Sequence, residues 1–76
     1  MQMTSPTFAA RLAQARQSVG MSSQGLADAS GTSLGSVKLW LAGRAEPKIG
    51  SVEKLAAALR VDPRWLAYGE AGAELL

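Results

Sequence analysis

Apolar positions along this 76-residue chain recur in short helical registers, separated by glycine, proline and potential capping residues. Phe8, Leu12, Ala15 and Val19 share one face of a 3.6-residue period, while Arg11, Gln14 and Gln17 fall off it. Ser5 before Pro6 reads as an N-cap and a first helical residue, because proline's fixed φ is already helical and its missing N–H is not needed in the first turn. The predicted first helix runs from there to Gly20, which stops it in the left-handed conformation. A second, capped by Ser22, turns Leu26, Ala27 and Ala29 inward and ends at Ser30 and Gly31. A third, capped by Ser33, carries Val37, Trp40 and Leu41 inward and ends at Gly43, with Pro47 beyond the break. A fourth spans about Ser51 to Leu59, with Val52, Leu55, Ala56 and Leu59 on its inner face. The fifth has Asp62 as cap, Pro63 in first position, Trp65 and Leu66 inside, and Gly69 as stop. Residues 1–5 are expected to form a disordered arm and residues 6–69 the folded domain. Residues 70–76 suit a continued helix, a frayed end or a partner contact, and Leu75 and Leu76 make them a candidate dimer contact.

Composition supports an all-α domain with five helices. Hydrophobic residues make up 47% of the chain and aromatic residues only 5%, which suits short helices packed through small side chains better than stacked sheets. A core of this size is marginal in water, so dimerisation would assist it. With no cysteine and no histidine, the thiolate and imidazole ligands of metal sites and the commonest general base are missing. Asp28, Glu46 and Glu53 are scattered carboxylates without a paired acid, base or nucleophile. No metal, cofactor, small-molecule ligand or enzymatic activity is expected. The start lacks a basic leader, and no apolar run reaches the length of a membrane span, so a soluble, cytoplasmic protein is expected.

The net charge of +2 says little, but its distribution says more. Residues 1–48 hold five basic side chains (Arg11, Arg16, Lys38, Arg44 and Lys48) against Asp28 and Glu46. Residues 49–76 hold Lys54, Arg60 and Arg64 against four acidic ones. The positive half also contains the most constrained junction. Ala27 is small where the second and third helices must approach, Gly31 supplies a left-handed turn, and Val37 and Trp40 fill the space between the helices. Together with Leu26 they form the ordered set that a helix-turn-helix over about residues 23–42 requires.

Around that set, Arg11 with Leu12, Ala15 with Arg16, Gly20 to Ser22, Gly31 to Ser33, the run Trp40 to Arg44 with Pro47, Leu55 with Ala56, Leu59, Val61, and Trp65 with Leu66 complete a pattern. In these residues the chain resembles the lambdoid phage repressor and Cro-like family, also called XRE-type helix-turn-helix proteins. The resemblance implies a five-helix domain that binds an operator in double-stranded DNA as a homodimer, with the third helix in the major groove and the last two nearer the dimer contact. It further implies base-facing roles for Ser33, Leu34, Gly35, Ser36, Lys38 and Leu39. Arg44 and Lys48 match basic phosphate contacts, and Ser22, Ser23 and Gln24 fall where a polar residue meets phosphate or a base edge, at a helix N-terminus that itself favours anions. A sequence-specific transcriptional regulator of the phage-repressor type is the function expected.

Several residues depart from the family's pattern. Ser23 stands where many members carry glutamine, and the adjacent Gln24 points about 100° away around the helix. Leu41 replaces a glutamate that pairs with the arginine at Arg16, freeing Arg16 for phosphate or solvent. Leu34, Gly35 and Leu39 occupy positions suited to long polar side chains. Two explanations stay open: contact with thymine methyl groups and close backbone approach at Gly35, or a third helix that binds protein as an antitoxin-like or adaptor module. Arg44, Lys48 and the positive half favour the first. Gly25 and Gly35 each cost about 1 kcal/mol inside short helices, so Gly25→Ala is expected to raise the melting temperature.

Overall fold

A computed structural model describes residues 7–69 and holds five helices among them: α1 (Phe8–Ser18), α2 (Ser23–Ser30), α3 (Leu34–Leu41), α4 (Ile49–Leu59) and α5 (Pro63–Tyr68). The described residues form no strand, and none of their helices is long and apolar enough to cross a membrane. The arm at 1–5, the expected cap at Ser5 with Pro6, and the tail at 70–76 lie outside the described residues.

Side-chain oxygens set most of the helix starts. The hydroxyls of Ser22 and Ser33 accept from the amides of Gly25 (2.9 Å) and Ser36 (3.1 Å), and Asp62 Oδ1 accepts from that of Arg64 (2.7 Å). The first helix departs from expectation. Its cap is Thr7, whose Oγ1 accepts from the Ala10 amide at 3.1 Å while its own backbone is extended, so α1 begins at Phe8 rather than Pro6. Helix α4 also differs, starting two residues before Ser51 at Ile49, behind Lys48, which offers no capping oxygen. Gly20, Gly31, Gly43 and Gly69 follow α1, α2, α3 and α5 in the left-handed conformation. Helix α4 uses Arg60 there (φ 60°), the only non-glycine positive φ among the described residues.

Leu12, Leu26, Val37, Leu55, Leu59 and Leu66 are fully buried at the centre, with Trp40 and Trp65 closing over them. Burying each such aliphatic side chain is worth about 1.5–3 kcal/mol, so this cluster dominates stability. Helix α2 packs on α3 and α4, α4 on α5, and α1 on α3 and α5. Three expected positions are corrected by this packing. Val19 is 47% exposed, because α1 ends at Ser18 and the chain turns away before reaching the core. Ala29 is exposed, and Ser30 is buried in its place, its hydroxyl donating back to the Leu26 carbonyl at 2.7 Å. Arg11, set off the apolar face by periodicity, is buried because its guanidinium closes the end of α5.

Candidate nucleic-acid interface

The α2–α3 junction is held from both sides. Ala27 and Val37 are almost fully buried between the helices. Gly31, at φ 70°, reverses the chain, and the Thr32 amide donates to the Ala27 carbonyl at 3.0 Å. Ser30 and Thr32 share a hydrogen bond of 2.8 Å between their hydroxyls across the turn. The turn is thus tied by its own hydroxyls and backbone, which fixes the angle at which α3 is presented.

Helix α3 then divides into two faces. Val37 and Trp40 are buried, and Leu34 and Leu41 lean half-buried against the same core. Gly35, Lys38 and Leu39 are exposed, at the i, i+3, i+4 spacing of a single stripe. Ser36 lies partly buried at its edge, and Ser33 caps the helix while its hydroxyl also donates to that of Ser36 at 2.9 Å. Of the six residues expected to face bases, three therefore form an open stripe, two flank its start, and Leu34 is mainly a core contact.

The expected phosphate contacts fall into two sets. Arg44 and Lys48 are exposed in the segment that follows α3, with exposed Glu46 between them. At the start of α2, Ser22 Oγ is engaged in its cap, Ser23 is half-buried, and Gln24 Nε2 donates to Asp28 Oδ1 at 2.9 Å along the exposed helix. Arg16 stands behind this end: its Nη1 donates to the Met21 carbonyl at 2.9 Å, bracing the α1–α2 connection. Its Nε is buried without a hydrogen-bond partner among the described residues. Arg11 is bound to the carbonyls of Leu66 and Ala67, so the positive character of the first half is narrower than the residue count suggests. Periodicity missed this role because Arg11 sits beside, not within, the apolar stripe; its charge gave no signal of burial.

Comparisons with known proteins agree with this arrangement. A family model described as helix-turn-helix matches residues 12–66. The crystal structure of the restriction-modification controller protein C.AhdI from Aeromonas hydrophila is similar at 34% identity and a TM-score of 0.75, over 78% of this chain and 89% of that one. The P22 c2 repressor, solved in complex with a synthetic operator, shares the fold at 21% identity and a TM-score of 0.80, over 87% of this chain and all of its own. No curated protein matches the sequence.

Proposed function

The chain belongs to the helix-turn-helix family as a DNA-binding transcription regulator, and from that premise we propose that it acts as a homodimeric repressor on a pseudo-palindromic operator. In this reading the two copies place α3 in successive major grooves, about 34 Å apart. The carrying observation is the open stripe of Gly35, Lys38 and Leu39 on a helix whose other face is locked into the core. Lys38 and Ser36 supply hydrogen bonds to base edges, Ser33 and Leu34 bring the helix start close, and Leu39 supplies apolar contact. Arg44 and Lys48 grip phosphates on the far side, and the amide end of α2, with Ser22, Ser23 and Gln24 around it, grips them on the near side, while Arg16, expected to reach phosphate, braces the α1–α2 connection behind it instead. Such a protein works in the cytoplasm, where its DNA is.

The exposed side chain of Leu39 also suits a second reading, in which α3 docks an antitoxin-like or adaptor partner. Selection of random duplexes by the purified protein, followed by anisotropy titration at several salt concentrations and light scattering, separates the two. An enriched two-fold site, bound by a dimer with steep salt dependence, supports the operator reading. Salt-insensitive behaviour with no enriched site overturns it.

A further inference from the structure

The two most exposed large apolar side chains among the described residues, Tyr68 at 68% and Ile49 at 58%, line one and the same groove. Phe8, Pro47 and Val52 complete its apolar walls, the charges of Arg11 and Glu46 within it offset each other, and its volume of about 440 Å³ has room for a few side chains. None of Gly35, Lys38 and Leu39 borders it, so the groove has no part in the reading of α3. Its rim at Ile49 is also the start of α4, which alone of the five helices has no side-chain cap: Lys48 stands in the cap position and offers no acceptor. The amide end of that helix therefore favours a carboxylate.

We infer that the chain's own tail closes this groove, with Leu75 and Leu76 against Ile49 and Tyr68, and Glu74 toward the amide end of α4. Residues 70–76 hold two acidic side chains, no basic one and a pair of leucines, which complements an apolar groove beside an uncapped helix start. They follow Gly69, directly after the groove's own wall at Tyr68, and seven residues reach about 23–25 Å when extended. A tether this short holds the leucines near the groove at an effective concentration on the order of millimolar, which the tail of another copy does not match. A second copy's groove fits less well, because a two-fold contact sets a patch against itself and two concavities face to face leave a void. The arm at 1–6 also adjoins the groove, at Thr7, but it carries no charged side chain for the amide end of α4. The contact is independent of how α3 reads DNA.

Nuclear Overhauser contacts in the full chain test this directly. Cross-peaks are expected from the Leu75 and Leu76 methyl groups to the Ile49 methyl groups and the Tyr68 ring. They should appear in a uniformly labelled sample and be missing from the isotope-filtered spectrum of a labelled and unlabelled mixture, which reports only contacts between copies. Leu75→Ser combined with Leu76→Ser should abolish the Tyr68 cross-peaks and lower the melting temperature by about 4–8 °C. Ile49→Ala should lower it by a similar amount, and adding it to the tail variant should cost little more, because both remove the same contact. The buried core cluster contains none of these three residues, so the variants keep the core. Lack of the cross-peaks overturns the inference, as does their replacement by cross-peaks from Met1 or Met3. Cross-peaks seen only between copies overturn it too, assigning the groove to the tail of a partner. Fully additive losses in the combined variant would likewise show that tail and groove do not meet.

Discussion

Arg11 Nε donates to the carbonyl oxygen of Leu66 across 3.0 Å, so a cation on α1 closes the end of α5. Its Nη2 reaches the next carbonyl, that of Ala67, at 2.9 Å. These are acceptors that the last turn of a helix leaves open, and the helix dipole favours a cation there. Burial pulls the Arg11 pKa downward, but a guanidinium remains charged at neutral pH. Arg11→Met should destabilise the domain by about 2–4 kcal/mol, since it removes charge-assisted bonds and strands buried carbonyls. Arg11→Lys should recover little, because an ammonium lacks the planar fork that spans two carbonyls. Thermal melts decide the matter: variants within about 0.5 kcal/mol of the parent would show the contact to be dispensable.

Gly25 and Gly35 both sit inside eight-residue helices, yet their surroundings give them opposite expectations. A Cβ at Gly25 would lie 3.2 Å from Met21 Cγ and 3.2 Å from Ser22 Oγ. Met21 can shift its flexible side chain, but the Ser22 hydroxyl is held by its bond to the Gly25 amide and caps α2. Displacing that cap costs about 1 kcal/mol, as much as the helix propensity gained. The gain expected from sequence is therefore corrected: Gly25→Ala should leave the melting temperature unchanged or lower it, while Gly35→Ala, in open space, should raise stability by about 0.5–1 kcal/mol. Equal gains in parallel melts would contradict the crowding at Ser22.

Asp62 caps α5, and its pKa is held below the ordinary carboxylate range. The Arg64 side chain is the leading cause, followed by the Arg64 amide, while desolvation opposes them. A carboxylate depressed in the folded state adds stability above its unfolded pKa, near 4, and that contribution is lost as pH falls from there through the folded value. Asp62→Asn keeps a capping oxygen but not the charge facing Arg64. The variant should therefore melt below the parent at neutral pH, and the two curves should converge as pH falls below about 4. The other carboxylates titrate in both proteins and cancel in the difference. Melting curves that stay parallel down to about pH 2 would remove Asp62 from the acid response.

The helices of the domain were legible wherever one residue carried both a local and a tertiary demand. Ser22, Ser33 and Asp62 announce helix starts because a short polar side chain before an apolar period has few other uses, and all three cap as expected. Gly31 was legible because the reversal between α2 and α3 needs a left-handed residue. Arg60 was not, since a left-handed arginine gives no compositional sign; the bonds from the Arg60 and Val61 amides to the Ala57 and Ala56 carbonyls hold it there. The site divides in the same way. The stripe of Gly35, Lys38 and Leu39 lies within the six positions that the family resemblance implied, whereas the engagement of Arg16 with Met21 and of Gln24 with Asp28 depends on where neighbouring helices and side chains end up.

Lys38, Arg44 and Lys48 are all exposed, so their removal should change DNA binding with little effect on folding. Their places in the proposed complex differ, and so should the outcomes. Arg44 and Lys48 follow α3 in the chain and are assigned to phosphates, which carry no base information. Arg44→Ala combined with Lys48→Ala should weaken binding to all duplexes alike and flatten the plot of log affinity against log salt by about 0.9 for each phosphate no longer neutralised. Lys38 lies within the stripe itself, and the proposed complex assigns its ammonium to acceptors on the base edges. Lys38→Ala should alter which duplexes a random library yields, with a cost of about 1–3 kcal/mol on the parent site and a smaller change on unrelated DNA. Anisotropy titrations on the selected and a scrambled duplex separate these effects, with melting curves as the control for folding. A Lys38 variant whose affinity fell equally on both duplexes would move this residue from the bases to the backbone.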